Sequence, residues 1–323
     1  MLYPLKFSPV FKNYLWGGRK LLNLGKNLPD GIVAESWEIS SHPDGISKVS
    51  NGIYEGVLFT EVLKETGESL LGASVSEEAK AKFPLLVKFI DANNDLSVQV
   101  HPDEDYVRTH NSDLYGKNEM WYIISAEPGA QLIYGLKHGT TKEAFIKAIS
   151  KKKVTDCLNY ISVEPGDAIN IPTGLVHAIG KGIVLAEIQQ NSNSTFRVYD
   201  YDRVDDKGNK RPLHIEEALE VIDFERENEQ TVCKGTPVKL GGAMKTPLVK
   251  NSFFTVEHIN IHQSLGEIAD GSRFYIYIVV SGEGKIKYNN QSIVANLGDS
   301  ILIPASLGYF TIEGSLQVLK AYI

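Results

Sequence analysis

The chain has 323 residues, 42% of them apolar and 23% charged, the make-up of a globular protein with a sizeable core. At roughly 150 residues per domain, two domains are expected. A net charge of -7 spread along the chain argues against nucleic acid or an anionic membrane surface as partner, and two isolated cysteines, Cys157 and Cys233, argue against a disulfide framework.

The N-terminal stretch MLYPLKFSPVFKNYLWGG lacks the apolar run of a signal peptide, and no window approaches the ~20 apolar residues that span a bilayer. A cytoplasmic protein, monomer or homodimer, is the expectation. Helical spacing appears from Thr60 to Leu71 and again in SEEAKAKF, residues 76–83. Strand-like runs follow: LLVKFIDA, LSVQVHP, MWYIIS and AQLIYG. A third helix is expected over Thr141–Ile149, capped by Thr140 or Thr141 with Glu143 behind it. After DAINIP, IVLAEIQ and FRVYDY, a fourth helix is expected over Ile215–Phe224, introduced by Pro212. Beyond about residue 250 the chain is almost wholly strand-like. Many short strands with turn residues between them predict a mainly β fold of sandwich or barrel modules.

An internal repeat refines this. Gly166-Asp-Ala-Ile-Asn-Ile-Pro172 matches Gly298-Asp-Ser-Ile-Leu-Ile-Pro304, each copy preceded by a strand pair with a Gly turn. The expectation is two tandem β-barrels with a few inserted helices, residues 1–235 forming the first domain and 236–323 the second. His177 lies eleven residues after Gly166, where the second copy has Tyr309; Glu119 aligns with Tyr275. The second copy thus keeps the architectural Gly and Pro but not these polar side chains.

In LSVQVHP, strand alternation puts Val98 and Val100 on the core face and Ser97, Gln99 and His101 on the other. A polar trio aimed into a lumen is costly unless something there binds it. With Glu119 and His177 the set becomes two imidazoles, a carboxylate and an amide, which suits one divalent ion. Zinc is the first expectation, manganese or iron the alternatives. Gly166, Pro172, Gly174 and His177 fit the Gly-x5-Pro-x-Gly-x2-His motif of the cupin superfamily. Gln99-x-His101 followed by Glu119 resembles its other motif, with Gln in place of the first His.

At this point the sequence resembles the type I mannose-6-phosphate isomerases in their short bacterial form. The resemblance rests on Tyr14-Leu-Trp-Gly-Gly18, Glu35-Ser-Trp-Glu-Ile-Ser40, Lys88, Ser97-Val-Gln-Val-His-Pro102, Gly116-Lys-Asn-Glu119, Pro172-Thr-Gly-Leu-Val-His177, Glu187 and Asn193-Ser-Thr-Phe-Arg197-Val-Tyr-Asp200. It implies jelly-roll cupin barrels, one zinc on Gln99, His101, Glu119 and His177, and interconversion of mannose 6-phosphate and fructose 6-phosphate through an enediol. It also implies a small-molecule sugar phosphate as partner, with Lys88 and Ser97 as the phosphate-binding pair. The family's Lys-Pro-Glu reads Lys117-Asn118-Glu119 here.

That reaction needs an acid–base group, an electrophile for the enediolate oxygen and a cationic pocket. Arg197 is the expected clamp or enediolate stabiliser. Glu187, in an apolar strand, has a carboxyl suited to proton transfer, and Lys117 shares a strand face with Glu119 and offers an ammonium nearby. Whether Glu187, Lys117 or a metal-bound water removes the C2 proton stays open from the sequence. Trp16-Gly-Gly18 and Glu35–Glu38 read as packing segments, and Lys151–Lys153 as a solvated helix end. Two other functions compete. A redox cupin oxygenase would favour His over Gln99, and a non-catalytic sugar- or metal-binding cupin would not need Lys88, Glu187 and Arg197.

Overall fold

A computed structural model describes residues 2–110, 115–205, 207–226 and 232–323. The strands form three antiparallel sheets of ten, six and five strands. The six-stranded sheet runs in the order Ala168–Ile171, Glu119–Ala126, Ile183–Gln190, Leu85–Ala92, Glu35–Ile39 and Val10–Lys12. The five-stranded sheet runs Phe196–Tyr199, Val98–Val100, His177–Ile179, Gln131–Leu136 and Leu158–Ser162. These two sheets enclose one core, in which Ile90, Trp121, Ile123 and Leu185 of the first meet Leu132, Tyr134 and Ile179 of the second.

Each sheet is also covered behind. Val98, Val100, Ala178 and Val198 pack on Phe145 and Ala218, from the helices Lys142–Ser150 and Ile215–Val221. Behind the larger sheet, Val87, Phe89 and Met120 pack on Phe59 and Phe83 and on Phe274, Ile276 and Leu319 of the C-terminal part. Burial on both faces explains why LLVKFIDA is apolar nearly throughout rather than alternating.

The ten-stranded sheet gathers the strands from Val238 onward around a core of its own. It also takes in the first strand, Leu5–Ser8, which pairs with Ser300–Ile303 through Leu5 opposite Leu302. The N-terminus is therefore stitched to the C-terminal part, across the boundary expected at residue 235. The mainly β expectation holds, but among the described residues no sheet closes on itself; the layers are open and stacked. No helix there is long and apolar enough to cross a membrane.

The helix expected over Thr60–Leu71 is two, Phe59–Thr66 and Glu68–Leu71. Gly67 adopts φ 45°, ψ -122°, outside the helical region, and its N–H closes the first helix on Leu63. The SEEAKAKF helix spans Glu77–Ala81. Thr141 caps Lys142–Ser150 by accepting from the Ala144 N–H at 3.2 Å. Ile215–Val221 is shorter than expected. A further helix, Glu104–Thr109, capped by Asp103, is too short to leave a periodic signature.

Candidate metal centre

The strand Val98–Val100 alternates as its sequence requires. Val98 and Val100 are fully buried against the helices, so Ser97, Gln99 and His101 turn toward the space between the sheets. Across the ladder Gln99 is paired with His177, which opens the strand His177–Ile179. The turn before it needs Gly174 at φ 77°, whose N–H donates to the His101 carbonyl at 3.0 Å. Glu119 opens its strand in the opposite sheet and faces the same space.

The three strongest donors converge. His101 Nε2 and His177 Nε2 are 3.1 Å apart, and each is 3.5 Å from a Glu119 oxygen. Four ligands at ~2.05 Å in a tetrahedron sit about 3.3 Å from one another, so the cluster has the dimensions of one zinc-like coordination edge set. All three side chains are buried, and beyond the two imidazoles the Glu119 carboxylate is met only by the Lys117 ammonium among the described residues. Gln99 completes the rim, its Nε2 3.4 Å from His177 Nε2. Exchange of the amide oxygen and nitrogen turns an acceptor inward.

Charge states suit a cation. Burial, with the nearby Lys117 ammonium, holds His101 down to about 3, and burial lowers His177. Burial pushes Glu119 up, but Lys117 and His101 outweigh it and keep the carboxyl well below its usual range. The imidazoles are neutral and the carboxylate charged at neutral pH. His177 Nδ1 donates to the Leu175 carbonyl at 2.8 Å, which leaves Nε2 with its lone pair toward the cluster. Lys117 Nζ lies 2.8 Å from Glu119 Oε2 and 3.0 Å from His101 Nε2.

Beside this cluster, one register of the six-stranded sheet carries Trp121, Glu187, Lys88 and Trp37 side by side. Trp121 Nε1 donates to Glu187 Oε2 at 2.8 Å, and Lys88 Nζ lies 2.9 Å from Glu187 Oε1. Glu35 accepts from Trp37 Nε1 at 2.6 Å and stands 3.8 Å from Lys88 Nζ. Burial and the neighbouring Glu119 push the Glu187 carboxyl up. Burial works against the Lys88 charge, yet Glu187 and Glu35 raise its pKa above the usual lysine value.

Trp121, Glu187, Lys88 and Glu35 line a cavity of about 280 Å³ between the two sheets. Gln99, Lys117, Glu187, Lys88 and Glu35 are on its walls, as are Ser97, Thr195, Arg197 and Arg211. Arg197 Nε donates to Ser97 Oγ at 3.3 Å. A larger cleft of about 950 Å³ adjoins it at Asn193; His101, Glu119 and His177 line neither space, and their cluster borders the smaller one through Gln99 and Lys117.

All nine residues singled out in the sequence therefore gather at one site. Lys88 is not a free cation there, because two carboxylates face it. The wall also includes Tyr14, Trp16, Glu35 and Arg211, which the sequence did not mark as functional. Glu35 left a signal, a carboxylate in a strand whose every residue is buried. Tyr14, pushed up to about 12 by burial and by Glu35, is held neutral in that wall.

Two family models match the chain. One, described as phosphomannose isomerase type I, catalytic domain, covers residues 4–123; the other, mannose-6-phosphate isomerase, cupin domain, covers residues 244–323. The chain is 37% identical over 320 residues to the mannose-6-phosphate isomerase ManA of Bacillus subtilis, covering 99% of each. It is 38% identical over 323 residues to the mannose-6-phosphate isomerase of Streptococcus mutans, covering 100% of this chain and 99% of that one. A crystal structure of the mannose 6-phosphate isomerase from Bacillus subtilis superposes with a TM-score of 0.92 at 33% identity, over 100% of both chains. A zinc-bound mannose 6-phosphate isomerase structure shares the fold at 18% identity, with a TM-score of 0.80 over 99% of each chain.

Proposed function

The chain belongs to the mannose-6-phosphate isomerase family, and we propose that the cavity between its two smaller sheets is where its activity is carried out. That activity is the interconversion of mannose 6-phosphate and fructose 6-phosphate, an aldose–ketose isomerisation. One zinc ion is held by His101, Glu119 and His177, with the Gln99 amide oxygen as fourth ligand. The zinc of the solved relative and the all-nitrogen-and-oxygen donor set both support that choice. When bound, the metal supplies Lewis acidity toward sugar oxygens.

The protein's own groups divide the rest. Glu187 holds and moves the proton between C2 and C1, its raised pKa bringing it closer to working pH. Trp121 and Lys88 fix both its oxygens. Lys88 and Ser97 contact the substrate; since the Lys88 charge is already balanced, it serves as a hydrogen-bond donor to a sugar oxygen. Lys117 donates to oxygens at the metal end, and Arg197 clamps the open chain from the other side. No observation favours the non-catalytic alternative.

The observation that carries this reading is the buried cluster of His101, Glu119 and His177, with donor atoms at metal-ligand spacing, beside the cavity that Glu187 lines. A coupled assay tests it. Mannose 6-phosphate should yield fructose 6-phosphate, the activity should disappear on chelation, and added zinc should restore it; no turnover with any divalent metal would overturn it.

The two halves are tandem cupin-like modules, the second without metal. In support, the ladder position of Glu187 between Trp121 and Lys88 recurs as Lys320 between Tyr277 and Glu257. Lys245 corresponds to Glu35 and lies 3.0 Å from Glu257. The second module thus repeats the charged row with every sign reversed, and Tyr275 stands where the first has Glu119.

A further inference from the structure

Separate stretches of chain lead to His101, Glu119 and His177: residues 101–102, 116–118 and 172–174. They are tied to one another directly. The Lys117 N–H donates to the Pro102 carbonyl at 3.2 Å, and the Gly174 N–H donates to the His101 carbonyl at 3.0 Å. Those two bonds join the His101 stretch to each of the others. The third side, between the Glu119 and His177 stretches, is made differently. The ladder between Ala168–Ile171 and Glu119–Ala126 ends with Ile171 opposite Glu119. Pro172 comes next, and without an N–H it cannot donate to continue the ladder. The Asn118 side chain takes over: its Oδ1 accepts from the Thr173 N–H at 3.4 Å.

Asn118 is held from its other side by Gln190, the last residue of Ile183–Gln190. The Gln190 N–H donates to the Asn118 carbonyl at 3.0 Å. Gln190 Oε1 accepts from the Asn118 N–H at 2.8 Å and from Asn118 Nδ2 at 2.9 Å, and Gln190 Nε2 donates to Glu104 Oε1 at 2.9 Å. These bonds fix the orientation of both amides. The Asn118 N–H requires the Gln190 oxygen, that oxygen requires the Asn118 nitrogen, and the Asn118 oxygen is left for Thr173. A proline at this position, as in the family's Lys-Pro-Glu, would supply neither the N–H nor the amide.

Resting on the metal-centre reading above, we propose that Asn118 is a positioning residue for the metal, setting the spacing between the Glu119 carboxylate and the His177 imidazole. Glu119 belongs to the six-stranded sheet and His177 to the five-stranded one, so their 3.5 Å approach spans the gap between sheets. Residues 172–176 carry the chain across that gap. A bond that anchors the start of this crossing beside Glu119 fixes where His177 enters. Donors held in place by neighbours outside the ligand set keep their metal more tightly, and the Asn118 bracket acts on two of the donors at once.

Zinc affinity, read by competition with a chromophoric chelator, tests this without reference to turnover. Asn118→Ala and Asn118→Pro should each weaken zinc binding by about 10-fold or more. Asn118→Asp keeps an acceptor for the Thr173 N–H and should stay within about three-fold of wild type. Asn51 makes comparable amide bonds beside the strand Leu5–Ser8, accepting from the Lys6 N–H at 2.8 Å and donating to the Pro4 carbonyl at 3.0 Å. Asn51→Ala should leave zinc affinity unchanged. In the cobalt-loaded protein, the visible bands that follow ligand geometry should shift in Asn118→Ala and not in Asn51→Ala. At saturating zinc, Asn118→Ala should keep KM for mannose 6-phosphate within about two-fold of wild type. Zinc held by Asn118→Ala and Asn118→Pro within about two-fold of wild type overturns the proposal. So does a loss in Asn118→Asp or Asn51→Ala as large as that in Asn118→Ala. A wild-type protein that binds zinc but forms no fructose 6-phosphate sinks the isomerase reading alone, and the zinc measurements still decide the role of Asn118. One that takes up no zinc removes the centre and the proposal with it.

Discussion

Glu187 separates chemistry from scaffold, because it lines the cavity without touching the metal cluster. Glu187→Gln keeps the size and the acceptor for Trp121 but cannot take a proton. We expect kcat to fall by about 10²- to 10⁴-fold, with metal content unchanged by elemental analysis. Glu119→Gln should do the reverse and lose the metal, since it replaces the one buried anion of the His101, Glu119 and His177 cluster. The residues legible in the sequence were those whose spacing is local: Ser97, Gln99 and His101 from strand alternation, and His177 from the Gly174 turn. Glu35 and Tyr14 reach the wall through long-range pairing, such as Trp37 opposite Lys88, and Arg211 through the return of the chain beside Phe196–Tyr199, and residue spacing alone encodes neither. For the same reason the balancing of Lys88 by two carboxylates could not be foreseen.

Among the elements, the turn after Phe196–Tyr199 and the junction at Gly72 carry the sharpest expectations. Burial pushes the Asp200 carboxyl up, but hydrogen bonds from Arg211 and Arg203 outweigh it and hold it below the usual 3.8. A depressed carboxyl stabilises the fold above its unfolded pKa, and that contribution is lost as pH falls through the folded one. Asp200→Asn should therefore lower stability by about 1–3 kcal/mol at pH 7, and the Tm gap to wild type should narrow only below about pH 4. Gly72 has φ 104°, and a β-carbon there would lie 2.3 Å from the Ser272 carbonyl oxygen. Next to it, Ala73 and Ser74 donate to the carbonyls of Gly271 and Ser272. Gly72→Ala should cost more than about 2 kcal/mol in denaturant melts, through this seam rather than through the metal. Element types were readable because strand and helix periods are local. The break at Gly67 and the short helix at Glu104–Thr109 were not, since each is decided by about one turn of backbone.

At the scale of the molecule, the repeat of Gly166–Pro172 in Gly298–Pro304 pointed to two related halves, but not to how they share a core. Phe83 meets Phe274 with ring centroids 5.1 Å apart, and the first strand lies in the far sheet. We expect one cooperative unfolding transition by calorimetry for the whole chain; two separable transitions would mean that the modules are independent. The His101, Glu119 and His177 cluster lies inside the first half, so an ion held there would be bound by one module. The most direct test is to strip the protein of metal and titrate zinc back while following the conversion of mannose 6-phosphate. Turnover should rise linearly from near zero and level off at one equivalent per chain. Full activity without metal, or a rise that passes one equivalent without a break, would contradict a single zinc site at His101, Glu119 and His177.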